Sequence, residues 1–187
     1  VERFPDDNHE KMAGLGMGAL YTKTDDLEDM RIVSQHLRQN IMDNYYWPHH
    51  SRLTELVDKH LQEYGTALIV DCHSFADIPF HRELDKNPDR PDFCIGSDAY
   101  HTPPELIDFS LQFFAGKGYS VKLDSPYSGA IVPLKYYHNN SNVRSIMVEV
   151  NRKLYLNADN SPYTSGFADI QALLTDYLYA LRAVAVI

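Results

Sequence analysis

The sequence predicts an α/β fold, because helical patterns alternate along it with short buried strands. Apolar residues recur on one helical face over 53–64, and Gly65 is placed to cap that helix. The run ALIVD at 67–71 follows at once and has the length and apolarity of a buried strand. A second such run, RSIMVEV, occupies 144–150 and predicts a central strand, and a last apolar helical stripe spans 166–183.

Similar patterns place the other elements. An apolar side over 26–41 predicts a first helix, and Pro48 then interrupts the hydrogen-bonding pattern. The segment 76–104 is rich in Pro, Asp, Asn and Arg, which indicates a long loop with a short strand at DFCIGS. The two prolines at 103–104 begin a further helix, and the alternating run YSVKLD after it predicts another strand.

Composition limits the class of protein. With 187 residues, 44% of them hydrophobic, the chain can bury a sizeable core, so we predict one domain over residues 1–187. The formal net charge of −9 disfavours nucleic acid and anionic membrane surfaces as partners. No apolar run approaches the roughly 20 residues that cross a bilayer, and we expect a cytoplasmic location. Nothing indicates an oligomeric state, and Cys72 and Cys94 are predicted to be buried free thiols.

Two ionisable residues stand out among apolar neighbours. Glu149 lies within IMVEV, where either a salt bridge with Arg144 or Arg152 or a role as a general base would explain a carboxylate. His73 follows a buried strand and is either a structural histidine or a ligand. Open α/β sheets bind ligands at the carboxyl ends of their strands, which favours the ligand. A serine hydrolase using Ser74 with His73 is disfavoured, since adjacent residues of a strand point to opposite faces.

Five blocks of the sequence stand in a recognisable order. They are YYWPHHSRLTELV, GTALIVDCHS, DFCIGSDAYHTPPELI, GYSVKLDSPYSGAIV and SIMVEVNRKLYLN. Together they resemble the N-formylglutamate amidohydrolase family over nearly the whole chain. Two blocks are also similar to zinc carboxypeptidases, in which one strand leads to His-Ser and a later strand bears Glu. The resemblance implies a phosphorylase/hydrolase-like three-layer α/β fold with a mixed, mostly parallel sheet, and a place in histidine catabolism.

The resemblance also implies a zinc-dependent hydrolase of the C–N bond in N-formyl-L-glutamate or a similar small N-acyl amino acid. His73 matches the zinc-binding histidine of the family. Glu149 matches the catalytic glutamate, which acts as the general base toward a zinc-bound water. That division of roles suits the residue types, because a catalytic zinc needs a neighbouring base to take the proton of its water.

Further residues are assigned to the substrate side by the same resemblance. Arg3 in VERF matches a family arginine suited either to holding a substrate carboxylate or to stabilising the oxyanion, since a guanidinium offers a planar bidentate fork. Tyr127, Arg144 and Asn151 are weaker substrate-binding candidates. His50 is a candidate for supporting a metal ligand through a hydrogen bond.

One block of the family has no counterpart in the sequence. The remaining zinc ligands of the family belong to an N-terminal Pro-His-Ser-Gly-like turn with an acidic residue downstream, and nothing in residues 1–187 matches it. One histidine is too few for a catalytic zinc, which normally has three protein ligands. Because the chain also begins VERFPDD without an initiator methionine, we expect an N-terminally truncated domain. A related amidase or carboxypeptidase, or a non-catalytic binding module with an incomplete metal site, remains an alternative.

Overall fold

The computed structural model describes residues 3–10, 12–157, 161 and 165–185, and it has an α/β architecture. The chain forms two compact units. Unit 1 takes its described residues from 1–67, 80–84 and 132–143, and unit 2 takes them from 68–79, 85–131 and 144–187. The prediction of one domain over 1–187 stays a prediction.

Unit 1 has a short 3-10 helix at Ala13–Leu15, and its first α-helix begins later than the apolar pattern predicts. The first helix, α1 (Gln35–Ile41), does not reach back to residue 26. Leu27 adopts a left-handed φ of 67°, a conformation that no helix interior contains. Ser34 instead caps the helix, since its hydroxyl accepts a hydrogen bond from the Leu37 N–H at 3.1 Å. The apolar residues before α1 therefore belong to a loop.

The second helix of unit 1, α2 (Trp47–Tyr64), follows a π-helical turn over Met42–Tyr46. Pro48 has no N–H to donate, so the wider turn falls just before it. Gly65 ends α2 with a φ of 72° and donates its N–H to the Leu61 carbonyl, as the sequence predicts.

One four-stranded sheet lies almost entirely in unit 2, in the order β1-β4-β2-β3. Its strands are β1 (Ala67–Phe75), β2 (Phe93–Gly96), β3 (Val121–Leu123) and β4 (Val143–Asn151). β2 pairs with β3 in parallel and with β4 in antiparallel, so the sheet is mixed. β4 is an interior strand and is buried along almost its whole length, which confirms the prediction of a central strand.

Two helices pack with this sheet, α3 (Pro104–Gly116) and α4 (Phe167–Ala185). Phe93 of β2 stacks on Phe114 of α3 with ring centroids 4.1 Å apart. The Tyr177 hydroxyl of α4 bonds Ser110 of α3 at 2.8 Å inside the core. Burial raises the pKa of Tyr177 to about 12. The predicted α/β fold, with a mixed sheet flanked by helices, is therefore confirmed.

Gly96 ends β2 where the backbone is closely approached by other groups. A Cβ atom at this position would contact the Met147 side chain on β4 and would lie 2.5 Å from the Gly129 carbonyl oxygen. Only glycine leaves that space, so Gly96 permits the close approach of the Gly129 carbonyl and of the Met147 side chain.

Within the described ranges, no helix has the length and apolarity needed to cross a membrane.

Candidate active site

Glu149 is a buried carboxylate on the interior strand of the sheet. Glu149 is only 6% exposed, and it lies opposite Cys94 of β2 in the antiparallel register. Burial raises the pKa of Cys94 to about 11, and the charge of Glu149 adds to that rise. Cys94 is therefore an inert protonated thiol at neutral pH.

On the neighbouring strand, β1, a carboxylate and a histidine form a hydrogen-bonded pair. Asp71 and His73 are two residues apart, so their side chains point to the same face of the strand. The Asp71 Oδ1 and His73 Nε2 atoms are 2.7 Å apart, and Asp71 Oδ2 accepts the Ile131 N–H at 3.3 Å. The hydrogen bond to Asp71 raises the pKa of His73, partial burial opposes the rise, and the charges of Asp71 and Glu149 add to it. Glu149 therefore lies within electrostatic reach of the pair.

A cleft of about 520 Å³ borders β1 and β4 on the face opposite to these side chains. Val70, Cys72 and Ser74 of β1 line it with Val148 and Val150 of β4. Strand alternation consequently turns the Asp71, His73 and Glu149 side chains toward the other face, although His73 also borders the cleft.

Cys72 corrects one prediction made from the sequence. Its thiol is free, as predicted, but it is exposed rather than buried. The reason is that β1 stands at the end of the strand order, so the middle of this strand is less covered than the interior strand β4. Cys94, on interior strand β2, is free and buried as predicted.

Arg152 contacts β1 just after β4 ends. Its Nε donates to the Ser74 hydroxyl and its Nη2 donates to the Ser74 carbonyl, both at 3.2 Å. Arg144 lies half-buried near the start of β4. The salt bridge considered for Glu149 stays a hypothesis for both arginines.

Asn151 occupies the end of β4 and is fully buried. Its amide nitrogen donates to Asp77 Oδ1 and to the Pro91 carbonyl, each at 3.0 Å. Its amide oxygen accepts the Lys153 N–H at 3.1 Å. These bonds fix both ends of the loop between β1 and β2, and a role of Asn151 as a substrate contact stays a prediction.

Tyr127 contacts residues of β1 and β2. Its ring packs edge-on against Phe75 at the end of β1, with centroids 5.8 Å apart, and its carbonyl accepts from the Cys94 thiol at 3.2 Å. The Arg90 guanidinium lies 5.9 Å from the Tyr127 ring centroid. Tyr127 is thus held close to the β2 residue that faces Glu149.

Arg90 is a buried cation that the sequence did not single out. It donates to the Ala76 carbonyl at 2.9 Å and to the Asp85 carbonyl at 3.1 Å, both in the loop after β1. Its sequence context, NPDRPD, is polar and indicates a surface loop. No sequence pattern marks an arginine that donates to backbone carbonyls of its own loop.

His101 has polar neighbours in the sequence, which indicate a surface histidine, but the structure buries it completely. Its N–H donates to Asp98 Oδ1 at 3.1 Å within a turn, and its carbonyl accepts the Ser145 N–H of β4 at 2.8 Å. A strand far along the chain thus contacts the backbone of His101.

Two predicted residues, Arg3 and His50, lie in unit 1 and share a neighbour there. The Tyr46 hydroxyl donates to the Arg3 carbonyl at 2.7 Å, and the rings of Tyr46 and His50 are 4.3 Å apart. The Arg3 guanidinium stacks 4.1 Å from the Tyr137 ring centroid. Val1 and Glu2 of the VERF block lie outside the described residues.

The donors near His73 fit part of a metal site. A carboxylate bonded to one nitrogen of a histidine is the usual support of a metal-ligating histidine, whose other nitrogen binds the ion. Among the residues that the structure describes, however, no cluster of three His, Cys, Asp or Glu donors includes His73. Around His73 the described residues thus offer one candidate ligand and its supporting carboxylate, fewer than the three protein ligands that a catalytic zinc normally has.

The fold and site define an α/β protein whose sheet carries a buried glutamate beside a carboxylate–histidine pair. The model of the N-formylglutamate amidohydrolase family matches residues 1–156, and the chain belongs to that family. The resemblance found in the sequence blocks is therefore confirmed.

The chain is also similar to proteins of known structure. The chain is similar to the crystal structure of N-formylglutamate amidohydrolase from Ralstonia eutropha JMP134, with 26% identity and a TM-score of 0.76 over 94% of this chain. It spans 63% of the length of that relative. A gene product of Agrobacterium tumefaciens, 20% identical, shares the fold with a TM-score of 0.59 over 88% of this chain and 60% of its own. No curated protein matches the chain.

Proposed function

We propose that this chain hydrolyses the C–N bond of N-formyl-L-glutamate or a similar N-acyl amino acid. Membership in the amidohydrolase family supports the reaction class. The observation that carries the proposal is the buried carboxylate of Glu149 within electrostatic reach of the Asp71–His73 pair. A buried carboxylate beside a histidine is suited to proton transfer, since it is partly shielded from water and held in place by the sheet.

In this proposal Glu149 is the general base. It takes a proton from the attacking water as the water oxygen bonds to the acyl carbon. The C–N bond then breaks, and Glu149 returns the proton to the leaving amine, so that N-formyl-L-glutamate and water give formate and glutamate. A zinc ion held by His73 would polarise the scissile carbonyl and lower the pKa of a bound water to about 7. Zinc dependence is part of the proposal.

The substrate-binding roles follow the chemistry of each side chain. A guanidinium can hold a substrate carboxylate through two parallel hydrogen bonds, a role we propose for Arg144. Tyr127 carries a hydroxyl suited to the amide of an N-acyl amino acid, whereas a substrate contact by Asn151, whose amide bonds within the protein, stays a prediction. Arg3 as a carboxylate contact and His50 as a support of a ligand stay predictions.

Formate release tests the reaction. Purified protein is incubated with N-formyl-L-glutamate, N-acetyl-L-glutamate, N-formyl-L-leucine and short peptides, and the products are quantified. We expect turnover of N-formyl-L-glutamate, loss of that turnover after chelation, and recovery when zinc is restored. Hydrolysis of peptides alone would replace the proposal with a carboxypeptidase, because pocket contacts rather than the hydrolytic machinery set substrate choice.

A non-catalytic binding module is the second candidate, and the small number of donors near His73 among the described residues favours it. Calorimetric titration with N-formyl-L-glutamate distinguishes the two functions. Stoichiometric binding without product, in protein supplied with zinc, would support the binding module and contradict the hydrolase.

A further inference from the structure

The cleft of about 520 Å³ lies wholly within unit 2, on the sheet face opposite to the Asp71 and Glu149 side chains. Its volume falls in the range of roughly 300–1,000 Å³ that is typical of small-molecule sites in proteins. Strands β1 and β4 and helix α4 supply its apolar lining, which consists of Val70, Val148, Val150, Leu174, Tyr177 and Leu178. Such a lining favours an aliphatic group, because contact with it removes the apolar surface of that group from water.

The cleft becomes polar toward the carboxyl end of β1, where Ser74 and Arg152 border it. The Arg152 guanidinium donates to the Ser74 hydroxyl and to the Ser74 carbonyl, both at 3.2 Å. These two bonds hold the cation beside the strand and use two of its five N–H donors. Among the residues that the structure describes, Arg152 makes no other hydrogen bond or ion pair, so its remaining donors are available to an anion in the cleft.

We propose that this cleft binds a medium-chain aliphatic carboxylate, with its alkyl chain against the apolar lining and its carboxylate on Arg152. The charges are complementary, because a guanidinium holds a carboxylate through two parallel N–H···O bonds. A strand advances about 3.3 Å per residue, so Val70 and Ser74 are about 13 Å apart along β1, which leaves an apolar surface as long as a medium alkyl chain. The inference is independent of the proposed hydrolase activity, because it uses neither Glu149 nor a metal ion.

Cys72 allows a direct measurement of whether the cleft is occupied. Its thiol lines the cleft and is exposed, whereas Cys94 is buried, so a maleimide dye should label Cys72 selectively. The labelling rate of the full chain is measured at constant pH with increasing octanoate or decanoate, below the concentrations at which they form micelles. We expect saturable protection of Cys72, with an affinity about fourfold higher for each added methylene and hence about 15-fold higher for decanoate than for octanoate. Octan-1-ol, which has the same chain length without the charge, should protect about tenfold more weakly than octanoate.

Two pairs of variants, titrated with octanoate in a calorimeter, test the lining and the cation separately. Leu178→Asp places a negative charge in the lining and should weaken octanoate binding about tenfold or more, because like charges repel. Tyr179→Asp is its matched control, since Tyr179 is 73% exposed and lies outside the lining, and it should leave the affinity unchanged. Arg152→Met should weaken octanoate binding about 10- to 100-fold without weakening that of octan-1-ol. Arg182→Met, at an exposed arginine of α4, is the control for the loss of one positive charge.

Several outcomes would overturn the proposal. If neither octanoate nor decanoate changed the labelling rate of Cys72, the cleft would not be a site for aliphatic carboxylates. Equal protection by octan-1-ol, or unchanged octanoate affinity in folded Arg152→Met, would contradict the role of the cation. Labelling that slows with protein concentration alone would show that a second copy of the chain covers the cleft instead. Should Arg152→Met fail to fold, Leu178→Asp and the comparison with octan-1-ol still decide.

Discussion

Asn151 offers a stringent test of how the site is held together. Asn151→Ala removes three hydrogen bonds from a fully buried side chain: those to Asp77, to the Pro91 carbonyl and from the Lys153 N–H. Each such bond contributes about 1 kcal/mol net, so we expect the free energy of unfolding to fall by about 3 kcal/mol. In a chain of this size that corresponds to a melting temperature lower by about 6–12 °C.

Urea denaturation followed by circular dichroism measures this change. Asn151→Asp separates hydrogen bonding from packing, because it keeps the side-chain volume but loses both donated bonds and places a carboxylate beside Asp77. It should therefore also destabilise the protein. Asn139→Ala is the control, since Asn139 is exposed and donates one bond, to the Lys135 carbonyl. Unfolding free energies within about 0.5 kcal/mol of the unmodified protein for both Asn151 variants would refute the argument.

Two further predictions concern the core of unit 2. Gly96→Ala should lower the free energy of unfolding, measured by urea denaturation, by about 1–3 kcal/mol because its new methyl group has no space. Gly116→Ala, with open space around it, should raise that free energy by up to about 1 kcal/mol. Equal effects of the two substitutions would contradict the close approach at Gly96. Tyr177→Phe removes the bond to Ser110 and should cost about 1 kcal/mol, while Tyr179→Phe, at a residue that is 73% exposed, should cost little. Folding raises the pKa of Tyr177 from 10.0 to about 12. The stability that its protonated hydroxyl contributes is therefore present below pH 10 and falls as the pH rises toward 12. If Tyr177→Phe unfolded with the same pH dependence as the unmodified protein, this reasoning would be contradicted.

The fold was largely predictable because its strongest signals are local. The apolar face of α2 and the glycine after it fix a helix and its end, and the buried composition of β4 identifies a central strand. The predicted helix over 26–41 is wrong in its first part, because the apolar pattern does not reveal the left-handed backbone at Leu27. β1 extends beyond 71 to Phe75, since strand pairing continues where the apolar run stops.

The sequence draws attention to the residue types of the candidate site, whereas most of their contacts have no sequence signal. Glu149 and His73 stand out because ionisable side chains among apolar neighbours need a reason to be there. The bond between Asp71 and His73 has a visible sequence signal, the spacing of two residues on one strand, which puts both on one face. The burial of His101 and Arg90 has none, because the β4 residue that bonds His101 and the loop carbonyl that bonds Arg90 approach them only in the folded chain.

The central claim is that Glu149 acts as the general base of an amidohydrolase. The most direct measurement is the rate of formate release from N-formyl-L-glutamate by Glu149→Gln, with Glu83→Gln as control, since Glu83 is a buried glutamate of unit 1. Circular dichroism establishes that both variants are folded. We expect kcat to fall about 10²- to 10⁴-fold in Glu149→Gln, with little change in KM, and to stay near the unmodified value in Glu83→Gln. Full activity in Glu149→Gln, or the same loss in both folded variants, would contradict the claim.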